Sequence, residues 1–93
     1  MQVTYTVLVA TDAEGGYTVL VPALAGCVTE ADTIAGALRS AEEAIACHVD
    51  TLLSRGEPVP EDGPMLRFHS RDISEGFVFR VSATVDAELA PHA

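Results

Sequence analysis

Ninety-three residues, 48% hydrophobic and 20% charged, fit one folded domain with a modest core and exclude a disordered chain. Fourteen acidic residues stand against five basic ones, and all five cations are arginines: Arg39, Arg55, Arg67, Arg71 and Arg80. A net charge of −9 repels nucleic acid, whose binding needs clustered cations that displace counterions; it either speeds encounter with a basic partner or only keeps the chain in solution, and charge alone does not separate the two.

Residues Val3 to Ala10 alternate, with Val3, Tyr5, Val7 and Val9 on one side and Thr4, Thr6, Leu8 and Ala10 on the other. That period predicts a strand. The run Thr11 to Gly16 reads as a turn into a second strand, Tyr17 to Val21, and the two form a hairpin. Pro22 ends that strand because proline has no N–H for the ladder. Ala23 to Gly26 is a short connection, and Cys27 to Glu30 a brief third strand. Asp32 or Thr33 then caps a helix from Ile34 to Ser54. Its apolar stripe is Ile34, Leu38, Ala41, Ile45, Val49 and Leu52, with Arg39, Glu42, Glu43 and Asp50 off it. Gly36 costs roughly 1 kcal/mol in a helix interior and less in a first turn. Gly56 fits the left-handed position after the last turn, and Pro58 and Pro60 forbid continuation. Met65 to Phe68 reads as a short strand, Arg71 to Glu75 as a loop or helical turn, and Phe77 to Val85 as the final strand. Residues 86–93 form a short tail.

The order β-β-β-α-β predicts an α+β fold: a single domain over residues 1–93, with one long helix on one face of a two-layer sheet. Leu8, Leu20 and Val78 point away from Val7, Val19 and Phe79, so both sheet faces carry apolar residues. One helix covers one face. The other calls for another copy of the chain or a different protein. No apolar run approaches ~18 residues, so no membrane-spanning helix is expected. Cys27 and Cys47 form no CxxC and follow no secretory leader, which points to a cytoplasmic chain with reduced thiols.

Catalysis finds little support. Asp12 and Glu14 fall in a turn, Glu30 and Asp32 at a strand–helix junction, and Asp86 beyond the last strand. None occupies the mid-strand position that a two-metal nuclease requires, and they read as solvated surface. Cys27 and His48 are the one nucleophile–base pair of note. His48 reads as a helix-edge residue, and Cys27 as a small buried side chain. His69 and His92 have no metal-ligand spacing between them. The turn glycines Gly15, Gly16 and Gly26 lack a phosphate-binding lysine. The expectation is a non-enzyme with no cofactor or metal.

From Tyr17 to Pro60 the sequence resembles the HicB family of antitoxins. The matching residues are Tyr17–Pro22 (YTVLVP), Leu24–Thr29 (LAGCVT), Asp32-Thr33, Ala37-Leu38, Ala41–Ile45 (AEEAI) and Gly56–Pro60 (GEPVP). Tyr17, Pro22, Gly26, Cys27, Asp32, Gly56, Pro58 and Pro60 are the signature positions, with structural roles. The resemblance implies a partial ribonuclease-H-like fold without that enzyme's activity. It also implies a partner, a small basic RNA-cleaving toxin of the HicA type, neutralised when the antitoxin covers its RNA-binding surface. Family members that repress their own operon carry a C-terminal helix-turn-helix or ribbon-helix-helix domain. This sequence has none after its last strand, so it is expected to be a stand-alone antitoxin domain that does not bind DNA directly. Glu57, Glu61 and Asp62, acidic and beside an irregular segment, are the expected partner contacts. Self-association as a dimer or higher is also expected. The alternative is an orphan homo-oligomeric assembly or regulatory domain with no toxin partner.

Overall fold

The computed structural model describes residues 1–62 and 76–85. The expected strand at Met65–Phe68, the loop or turn at Arg71–Glu75 and the tail at 86–93 lie outside the described residues, as do His69, Asp86 and His92.

Among the described residues four strands and one helix follow in the order anticipated: β1 (Gln2–Thr11), β2 (Tyr17–Leu20), β3 (Val28–Ala31), α1 (Ile34–Ser54) and β4 (Gly76–Thr84). The sheet is wholly antiparallel with spatial order β3-β2-β1-β4. The last strand therefore returns to pair with the first, along nine residue pairs from Gln2–Thr84 to Ala10–Gly76. Period-two alternation puts Tyr5, Val7, Val9, Val19, Val81 and Ala83 on the helix side, where all are buried.

The helix lies on that face through Ala37, Ala41, Ile45 and Val49, its four buried positions. They recur every four residues, so they form a single row on the helix surface. Ile34, Leu38 and Leu52, assigned to the stripe from sequence, flank this row and are only half-buried. Two alanines in the row let the helix backbone come close to the valine-lined sheet. Larger side chains then fill the margins.

Both helix ends are satisfied locally. Thr33, rather than Asp32, is the N-cap, and its hydroxyl oxygen accepts from the Gly36 N–H at 2.9 Å. At the C-terminus the Gly56 N–H donates to Leu53 at 3.1 Å and the Glu57 N–H to Leu52 at 2.9 Å. These two bonds make a Schellman closure, which needs a left-handed residue, and Gly56 has φ +69°.

Strand ends differ from expectation by one residue. Val21 and Cys27 fall outside the strands but still bond each other, Val21 N–H to Cys27 O at 3.1 Å. Between them Leu24 N–H donates to Val21 O and Cys27 N–H to Leu24 O, both at 3.0 Å, so the connection closes as consecutive turns. Gly26, with φ +80°, completes the second of them.

Candidate functional site

The helix exit determines the most distinctive surface. After Gly56 the chain runs extended through Pro58 and Pro60 to Asp62, alongside β1. The last β1–β2 pair is Leu8 with Leu20, so the backbone of Thr6 has lost its β2 neighbour. Asp62 fills that vacancy. Its carboxylate accepts from the Thr6 N–H at 2.9 Å and from the Thr6 hydroxyl at 2.8 Å. On the helix side of the same strand, the Tyr5 hydroxyl donates to the Pro60 carbonyl. The exit segment is thus fastened on both sides of β1, and Val59, just before the first anchor, packs against the core.

This anchoring separates the three acidic residues expected to meet a partner. Glu57 and Glu61 are exposed. Asp62 is engaged within the chain, with its side chain 13% exposed and 3.7 Å from Arg80. Sequence reasoning missed that structural role because Thr6 lies 56 residues away from it. Asp62 also acts on Tyr5. Burial chiefly, and then the nearby Asp62 carboxylate, raise the phenol above its ordinary 10.0, so Tyr5 stays a neutral donor.

The signature residues lie at strand ends, turns and the two ends of the helix. Tyr17 packs half-buried against the core and begins β2 opposite Thr11. Pro22 opens the β2–β3 connection, and Gly26 and Cys27 close it. Asp32 precedes the cap, and Gly56, Pro58 and Pro60 shape the exit. Asp12, Glu14, Glu30 and Asp32 border a shallow cleft at the turn end of the sheet. There the Asp12 carboxylate accepts from the backbone of Glu14 and Gly16 at 2.8 and 2.9 Å, which makes it a turn former. Among the described residues no group of three or more histidine, cysteine or acidic side chains is placed to hold a metal ion.

Cys27, Cys47 and His48 line one open groove between the β3 end and the helix, together with Arg55. Cys27 is buried and Cys47 exposed, and both are free thiols. Burial first, and Cys47 second, push the Cys27 thiol above its ordinary 9.0. A nucleophilic cysteine requires the opposite shift, toward thiolate.

Among the described residues, a single helix on an antiparallel four-stranded sheet, with an acidic, internally fastened exit strap, defines a small α+β domain. The profile of a family described as the HicB-like antitoxins of bacterial toxin–antitoxin systems matches residues 5–92, and the chain belongs to that family. It is 41% identical over 58 residues to the UPF0150 protein Ta0767 of Thermoplasma acidophilum, a match covering 62% of this chain and 84% of that one. Two solved structures share the fold. A toxin–antitoxin complex from Streptococcus pneumoniae superposes with a TM-score of 0.76 at 20% identity, over 100% of this chain and 78% of that one. A HicA3–HicB3 toxin–antitoxin complex gives 0.65 at 24%, over 87% and 98% respectively. Among the described residues no helix is long and apolar enough to cross a membrane.

Proposed function

We propose that this domain neutralises a small basic RNA-cleaving toxin of the HicA type by occupying the surface on which the toxin would hold RNA. The observation that carries the reading is the exit strap: Glu57 and Glu61 stand exposed on a segment that Tyr5 and Asp62 fix in place. A pre-ordered acidic strap loses little freedom on binding, so more of its electrostatic attraction survives as affinity. Its carboxylates would compete for the cations that a nuclease uses to grip phosphates. Membership of an antitoxin family, and structural likeness to chains solved as toxin–antitoxin complexes, support a toxin as the partner. The domain itself would do no chemistry, in keeping with a Cys27 held as a thiol.

Co-expression with a HicA-type toxin, taken from the neighbouring reading frame where that encodes a small basic protein, tests the proposal. Restored growth and intact cellular RNA are expected with the wild-type chain, and weaker protection with Glu57→Arg/Glu61→Arg. Unabated RNA cleavage in the presence of folded wild-type protein would refute it. An orphan homo-oligomer is the competing reading. Exposed Leu20, Val28, Phe77 and Val78 favour it, and a neighbouring reading frame encoding no small basic protein would decide for it.

A further inference from the structure

Hydrogen bonds across the sheet fix which way each backbone group of β3 points. The Val21 N–H donates to the Cys27 carbonyl at 3.1 Å, in register with the β2–β3 pairs that follow. Backbone groups alternate in direction along a strand, so Thr29 and Ala31 turn toward β2 as the Cys27 carbonyl does. Val28 and Glu30 turn the other way. In the order β3-β2-β1-β4 the strand β3 is an edge, so the N–H and carbonyl groups of both residues face outward. Among the described residues none bonds them there. Two donors and two acceptors stand in line on the open side of a strand, which is the template on which another extended chain pairs.

The surroundings of this edge define the chemistry of the chain that fits it. Side chains alternate between faces, so Val28 and Glu30 lie on the face away from the helix, and Val28 is 54% exposed. At the end of β3, Glu30 borders the cleft shared with Asp12, Glu14 and Asp32, and all four are exposed. On the helix side, a groove opens where β3 begins. Cys27 and Val28 form one wall, and Ala44, His48 and Leu52 the other. A strand laid along the edge offers alternate side chains to these two sides. On the open face a cation fits over Glu30, and on the helix side an apolar side chain fits the groove. A second copy of the chain suits this edge poorly, because at net charge −9 it brings more acid to the cleft.

We propose that β3 is extended by a strand of the toxin, a basic segment whose backbone bonds Val28 and Glu30, with a lysine or arginine over Glu30 and an apolar residue in the groove. The inference rests on the antitoxin reading and adds the way the toxin is held. The groove runs to Arg55, two residues before Glu57, so the edge and the exit strap bear on one partner.

Amide hydrogen exchange read by NMR, on the free chain and on its complex with a HicA-type toxin, tests the proposal. In the free chain the Thr29 amide should be protected, and those of Val28 and Glu30 should exchange freely. In the complex, exchange at Val28 and Glu30 should slow at least about 100-fold. Proline at position 28 removes an outward N–H and leaves the ladder to β2 intact, so Val28→Pro should fold. It should bind the toxin at least about tenfold more weakly than Val28→Ala, which keeps that N–H. A complex in which Val28 and Glu30 exchange as fast as in the free chain would overturn the proposal and leave the antitoxin reading standing. So would equal toxin affinities for Val28→Pro and Val28→Ala. A folded wild type that binds no toxin would remove both. Should Val28→Pro fail to fold, the exchange measurement decides alone, since it needs no variant.

Discussion

Replacing Asp62 with alanine is the sharpest perturbation of the exit strap. The substitution removes two hydrogen bonds to Thr6, at 2.9 and 2.8 Å, and the 3.7 Å approach to Arg80. Thr6 is buried, so its N–H and hydroxyl would lose their acceptor in a place water reaches poorly. Hydrogen bonds to a charged group contribute about 1.5–3 kcal/mol each, and bonds sharing one carboxylate are not additive. The exposed Arg80 contact adds little. The expected loss is therefore about 2–3 kcal/mol, a large fraction of the 5–15 kcal/mol that holds a small domain folded. Urea unfolding followed by circular dichroism should show this as a lower midpoint with an unchanged slope. The melting temperature should fall by roughly 10–20 °C. Asp62→Asn keeps an acceptor for the Thr6 N–H and should lose about half as much. A loss below about 0.5 kcal/mol for Asp62→Ala would mean that the strap is not held by this carboxylate, and the pre-ordered acidic surface would lose its basis.

Further outcomes follow from the helix start, the thiols and the buried phenol. At Gly36 an added Cβ would meet the Thr33 hydroxyl oxygen at 3.0 Å. Gly36→Ala should therefore gain little of the ~1 kcal/mol of helix propensity, and a measured stabilisation of that full size would contradict the cap geometry. A coloured disulfide reagent should modify exposed Cys47 at least about 100-fold faster than buried Cys27, and equal rates would disprove the burial. Tyr5 and Cys27 have raised pKa values in the fold, so each holds its proton more tightly there than in the unfolded chain. Their contribution is complete below pH 9.0, the ordinary thiol value, and is lost as pH rises through the folded values. Tyr5→Phe combined with Cys27→Ala should flatten that alkaline decline, and an unchanged decline would assign it to other groups.

Most of the architecture was readable because short-range patterns carried it. Alternation marked β1 and β4, the four-residue recurrence marked α1, and Gly56 with Pro58 marked its end. The half-buried flanks of the helix stripe were harder to read. Ala37 is more deeply buried than Ile34 or Leu38 because close approach, not side-chain size, decides what meets the sheet. The acidic exit was legible as composition, but the division of labour within it was not. Nothing local distinguishes Asp62 from Glu61, and only the end of β2 pairing at Leu20 leaves Thr6 in need of Asp62.

The antitoxin reading depends on the exposed carboxylates of a fixed strap meeting the cations of a nuclease. Calorimetric titration of the cognate toxin into this chain at several salt concentrations addresses it directly. The account predicts stoichiometric binding that weakens with salt, and a shallower salt dependence for Glu57→Gln/Glu61→Gln. Binding that ignores both salt and those substitutions, or no binding by a folded chain, would contradict it.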